Sequence, residues 1–143
     1  MNQSPPIIKI KFKKKRIVYN LIFSTIYVAV GLYRIVSNEH IYWIKSGFFV
    51  IGILYLISAL FEIITHYIVI KNGTLRKYSF WAFHKDIELQ NIIEIKSGAE
   101  DYIVFTETTK LKIQVELIAD DSLEELKRIL SELDLPADKT PFQ

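Results

Sequence analysis

The chain contains no cysteine, which excludes a disulfide framework, a thiol nucleophile and a thiolate metal site. Its three histidines, His40, His66 and His84, show no metal-ligand spacing, so no metal is expected. A glycine-rich phosphate loop, a Gly-x-Ser-x-Gly turn, a His-Glu-x-x-His helix and the kinase signatures are also absent from the sequence. With no nucleophile–base set to read, an enzyme is the weakest of the functional classes, and no cofactor is expected. There is no internal repeat and no low-complexity linker. Charge is missing in two informative places: residues 1–16 hold no acid, and residues 46–61 hold no ionised side chain.

Charge is distributed unevenly behind the net +2. Residues 1–16 carry Lys9, Lys11, Lys13, Lys14, Lys15 and Arg16; residues 17–66 balance Arg34 and Lys45 against Glu39 and Glu62; residues 67–143 hold ten bases and fourteen acids. The profile is a basic arm, a neutral apolar middle and an acidic domain. A nucleic-acid binder would more often carry its basic excess on the folded domain, so no nucleic acid is expected as a partner.

The apolar middle supplies two spans. In residues 46–64 only Glu62 is charged; as a helix this segment is roughly 28 Å long, close to the hydrocarbon thickness of a bilayer. Its apolar side chains go all the way round, which water does not tolerate on a surface helix. Residues 17–33 form a shorter run after the basic arm, with no signal-peptide cleavage site behind it. A helical hairpin follows, with residues 37–40 as the connection and Tyr42 and Trp43 as interfacial aromatics. Small residues (Ser24, Ala29 and Gly31 in the first helix; Gly47, Gly52, Ser58 and Ala59 in the second) would permit close packing, although neither helix contains GxxxG. Bases flank the outer ends of both helices, which predicts both termini in the cytoplasm of a cell with this protein in its inner membrane.

From residue 67 the period changes to alternation. Strands are predicted over 67–71, 74–78, 85–89, 92–96, 101–106 and 110–117, the first two joined by a tight Asn72-Gly73 turn. Ser122-Leu-Glu-Glu125 reads as a capping box, opening a helix whose apolar stripe is Leu123, Leu126, Ile129, Leu130 and Leu133. Pro136 stops it, and residues 136–143 read as a loose tail. The domain layout is therefore a basic arm at 1–16, a transmembrane hairpin at 17–66, a folded domain at 67–135 and a tail at 136–143.

Tyr67-Ile-Val-Ile-Lys-Asn-Gly-Thr-Leu, Ile87-Glu-Leu-Gln-Asn-Ile-Ile-Glu-Ile, Tyr102-Ile-Val-Phe-Thr, and Lys112-Ile-Gln-Val-Glu-Leu-Ile running into Ser122-Leu-Glu-Glu-Leu give an order that resembles a pleckstrin-homology-like (PH-like) domain. Placed after a two-helix hairpin, the whole resembles the bacterial membrane-anchored PH-like proteins. The resemblance implies an α+β chain whose hairpin is followed by a bent sheet or barrel of six or seven strands, closed by the C-terminal amphipathic helix. It also implies a non-enzymatic binding or scaffolding module with an unidentified protein partner. The alternative is an accessory subunit of a larger membrane transporter or enzyme. Phosphoinositide-binding relatives cluster bases in the first hairpin; here Lys71, Arg76 and Lys77 surround a tight turn instead.

Membrane-surface contact is the one site the residues suggest. Lys13, Lys14, Lys15 and Arg16 would meet anionic lipid headgroups or serve as a topology signal, and the topology role weighs more. Phe80, Trp81 and Phe83, with Lys77, His84 and Lys85, would reach the interface if the loop returns to the bilayer. The competing reading is that these aromatics fill the core, which large aromatics usually do. Glu62 and His66, four residues apart, could form an ionisable pair, but more often such residues simply mark the interface.

Overall fold

The computed structural model describes residues 6–37, 42–79 and 83–142, with the side chains of 42–46 outside the description. The chain divides into two compact units: residues 14–65, and residues 1–13 together with 66–143.

The first unit is a helical pair, α1 (Lys14–Val36) and α2 (Tyr42–Ile64), each long and apolar enough to cross a membrane. The helices run antiparallel, and glycine sets how closely they approach. A Cβ on Gly31 would stand 2.8 Å from the Cα of Phe49, and one on Gly52 would stand 2.7 Å from the backbone nitrogen of Val28. Any side chain at either position would drive the backbones apart. Ser24 and Ala59 are also buried, whereas Ala29 is exposed and a Cβ on Gly47 would meet open space. Four of the small residues therefore lie inside the pair. Along it runs an aromatic ladder: Tyr27 stacks on Tyr55 at 5.9 Å and on Phe48 at 6.2 Å, and the Arg34 guanidinium caps Phe48 at 4.8 Å.

The second unit is built of β1 (Ile8–Ile10), β2 (Ile68–Lys71), β3 (Thr74–Tyr78), β4 (His84–Glu88), β5 (Ile92–Ser97), β6 (Asp101–Thr106), β7 (Lys110–Gln114) and α3 (Asp120–Ser131). Strands β1 to β4 form one antiparallel sheet in chain order, and β5 to β7 form another. Asn72 (φ 53°) and Gly73 (φ 72°) both occupy the left-handed region, the conformation of the two-residue turn predicted there. Both sheets turn their apolar faces inward: Ile68, Leu75, Val104 and Ile113 are fully buried. Leu126 and Leu130 of α3 join the same core, as their stripe predicts.

Five features differ from the sequence reading. The basic arm is not free: its residues 8–10 are a strand, Ile10 faces Ile68, and Ile10 is fully buried. Alternation of Ile8 and Ile10 with Lys9 and Lys11 gives this strand one apolar and one charged face, so it completes the first sheet. The sheets do not close into a barrel. A single turn of 3-10 helix, Leu89–Asn91, links β4 to β5, which belong to different sheets. The last strand stops at Gln114, where another 3-10 turn, Val115–Leu117, takes over; the Val115 amide still donates to the Glu100 carbonyl in register with β6, and the Gln114 amide donates to the Tyr67 hydroxyl.

The capping box does not form. Helix α3 starts earlier, with Ala119 as N-cap and no side-chain cap; the Ser122 hydroxyl accepts the Lys11 amide (3.2 Å), which its burial beside β1 favours. The tail is packed: Thr140 is buried and the Phe142 ring lies 5.2 Å from that of Tyr102. Phe142 carries enough apolar area to hold the segment down.

Candidate functional site

Alternation along β3 and β4 creates an unusual inner face. Leu75 and Ile87 sit opposite each other and are buried; two residues on, on the same face, Lys77 sits opposite Lys85. Like charges directly across a strand pair are destabilising. Both side chains reach to the free edge of β7. Lys77 Nζ donates to the Lys112 carbonyl (2.5 Å) and Lys85 Nζ to the Lys110 carbonyl (2.6 Å). Lys77 also lies over the Tyr67 ring at 5.4 Å, a cation–π contact. Burial, then the Lys112 and Lys85 charges, pulls the Lys77 pKa below the ordinary lysine value. Lys112 is held above it by a hydrogen bond to Asp101, at 2.7 Å.

The outer face is balanced by contrast. Arg76 donates to both carboxylate oxygens of Asp86 (2.8 and 2.7 Å). That bond pushes the Arg76 pKa up and the Asp86 pKa down. Asp86 is thereby engaged away from the lysines. A cavity of about 430 Å³ lies between β4 and the β6–β7 turn, lined by Ile87, Glu88, Ile93 and Thr106 to Thr109 among others. Glu88 is tied down there by Gln90 and Asn91.

The helical pair carries its own polar cluster. The Glu62 carboxylate, 5% exposed, accepts from Arg16 Nε at 2.8 Å and from Asn20 Nδ2 at 3.3 Å. Glu62 thus finds its partners on the facing helix and not four residues along at His66. His66 lies with the other unit, where burial and then the Lys9 and Lys11 charges lower its pKa.

The residues proposed from sequence for membrane contact do not form one site. Lys13 belongs to the β unit and pairs with Asp120 at 3.5 Å. Lys14 and Lys15 are exposed in the first turn of α1, next to Arg16. Phe83 is 75% exposed and Lys85 is held on β7; Phe80 and Trp81 lie outside the described residues. Sequence reasoning missed Lys110 and Lys112 as neighbours of Lys77 and Lys85. Their positions on the wet side of β7 were legible, but the approach of that edge to β3 and β4 was not. Among the described residues, no group of three or more His, Asp or Glu could hold a metal. Comparison with protein families, with characterised proteins and with solved structures finds no match for this chain.

Proposed function

We propose that the chain is a two-pass membrane protein whose helical pair anchors a PH-like β unit on the cytoplasmic side, where it acts by binding or scaffolding and not by catalysis. The observation that carries the reading is the pairing of β1 with β2, Ile10 opposite Ile68, on either side of the helical segment. A segment whose two ends are stitched into one sheet must leave and return on one side, as an even number of crossings does. Only 11% of the apolar window in α1 and 17% of that in α2 is buried, which speaks against core helices of a water-soluble fold. The PH-like reading is supported by a four-stranded sheet, then a three-stranded one, then a helix packed on the core. On that reading the hairpin replaces the first strand connection.

The absence of cysteine makes the test clean. Single cysteines are introduced as Asn38→Cys, between the helices, and Lys139→Cys, on the exposed face of the β unit. A membrane-impermeant maleimide should label the first from outside intact cells and the second only in inverted vesicles. Labelling of both from one side, or recovery of the protein without detergent after carbonate washing, would overturn the proposal.

The accessory-subunit reading has one observation in its favour. Tyr27 and Tyr55 stack near the middle of their helices, and their hydroxyls have no hydrogen-bond partner among the described residues. In hydrocarbon a bare hydroxyl is costly, and a neighbouring helix would supply the acceptor. A crosslinked partner that survives deletion of residues 66–143 supports this version; one retained by the β unit supports the scaffold.

A further inference from the structure

The outer strands of a sheet expose unpaired amides and carbonyls, and most of those in the β unit are engaged. Strand β1 is continued by Lys11 to Lys13, which exchange backbone bonds with Leu117 and Ala119. On β7 the Lys110 and Lys112 carbonyls accept from lysine side chains, and the Gln114 amide donates to the Tyr67 hydroxyl. The 3-10 turn Ala137–Lys139 packs against β5. Strand β4 is the exception. The Ser79 amide donates to the Phe83 carbonyl and the Leu89 amide to the Gly73 carbonyl. Antiparallel pairs alternate between bonded and unbonded, so residues 85 and 87 also bond to β3, and the amides and carbonyls of His84, Asp86 and Glu88 point off the sheet. Those groups have no backbone partner among the described residues.

This edge opens onto free volume. Asp86 and Glu88 line the 430 Å³ cavity, and a second cavity of about 310 Å³ shares Glu88 and Gln90 with it and reaches the Asn72-Gly73 turn. Outside the helical pair, the exposed large apolar residues among those described are Ile7, Phe83 and Ile93. Phe83 immediately precedes β4, and Ile93 lines the larger cavity. No base lines either cavity. Asp86 is answered by Arg76, whereas Glu107 has no ion pair among the described residues. Glu88 holds Gln90 and Asn91 with one carboxylate oxygen and keeps the other free.

We infer that the free edge of β4 docks an extended segment of a partner protein that carries a lysine or arginine, added as a fifth strand of the first sheet. Backbone bonds to the three outward-facing residues hold the segment whatever its side chains. Selectivity comes from the larger cavity, where the stem of the basic residue lies over Ile87 and Ile93 and its head meets Glu88 and Glu107. A second copy of this chain is a poorer occupant, because its own β4 would bring further carboxylates to an acidic wall. The inference rests on the binding reading above, to which it gives a partner class, and is independent of the membrane topology.

The test uses the full chain in nanodiscs, with a random-peptide phage library as the probe. Selected peptides should be rich in Lys or Arg and in β-branched residues, and poor in Pro; anisotropy of labelled copies gives their affinities. Glu88 has φ −75° and an amide directed away from β3, so proline fits there and removes one docking donor. Glu88→Pro should keep its thermal midpoint and bind roughly fivefold or more weakly. Glu88→Gln and Glu107→Gln should each weaken binding roughly two- to fivefold, with the difference shrinking in salt. The exposed control Lys127→Met should bind as the parent does. Methylating alternate peptide nitrogens on one edge should abolish binding, and on the other edge should not, a contrast that a charged patch alone would not give. Should Glu88→Pro unfold, that contrast decides. An absence of binders, selection of acidic or Pro-rich peptides, or equal binding to a folded Glu88→Pro would overturn the site, as would self-association of the chain that Glu88→Pro abolishes. A partner retained by the β unit yet indifferent to Glu88→Pro would overturn this edge and leave the scaffold reading standing.

Discussion

At the scale of single residues, electrostatics in two settings leads to measurable outcomes. Glu62 is a buried carboxylate whose charge is answered by Arg16 across the helical pair. Replacing Arg16 with methionine leaves that carboxylate without its counter-ion and should destabilise the pair by about 1–3 kcal/mol, less than for a fully buried pair because Arg16 is 42% exposed. Arg16→Met combined with Glu62→Leu should recover most of the loss; unfolding in bicelles monitored by SDS resistance reads both. His66 gives a pH dependence. Its folded pKa is lowered by burial and by Lys9 and Lys11, so between that value and the unfolded one near 6.5 the unfolded chain binds more protons. Stability should therefore fall as pH drops below about 6.5, and His66→Gln should flatten the curve in denaturant titrations at stepped pH. Of these two residues, the sequence exposes only their spacing. Four positions apart left a mutual pair open beside the preferred reading of interface markers; Glu62 is instead taken by Arg16 across the helical pair, and His66 sits under the Lys9 and Lys11 charges.

At the scale of elements, local signals were read well where one element answers only to itself. The Asn72-Gly73 turn, the alternation of Leu111 and Ile113, and the apolar stripe of α3 all follow from the backbone period and appear as expected. Elements defined by a distant partner were missed. Strand β1 is three residues long, and its apolar positions are interleaved with lysines that a membrane reading claims for itself. Only Ile68, dozens of residues later, makes it a strand. Ser122 shows the same thing: a capping motif lost to the amide of Lys11. A clear consequence follows. If residues 1–10 were a free arm, their removal would leave the β unit untouched. Because Ile10 is fully buried, Ile10→Ala should instead cost about 2–4 kcal/mol and truncation of residues 1–10 more, seen as a lowered thermal midpoint.

At the scale of the whole molecule, the helical segment is an insertion between two neighbouring strands of one sheet. Excising residues 14–65 and joining residue 13 to residue 66 through a short Gly/Ser linker should yield a folded β unit that stays in solution without detergent. Retained near-UV circular dichroism and a single cooperative unfolding transition would show it; an aggregated product would mean that the unit depends on its helices. By itself the amino-acid order determined the two apolar helices, six of the seven strands and the C-terminal helix, because each is written in a local period of hydrophobic residues. Tertiary structure alone decided that the N-terminal arm is a strand, that the sheets do not close into a barrel, that Glu62 belongs to Arg16, and that Lys77 and Lys85 meet the edge of β7. Those outcomes depend on which backbone groups and charges find partners far along the chain, and no short window of sequence contains both members of such a pair.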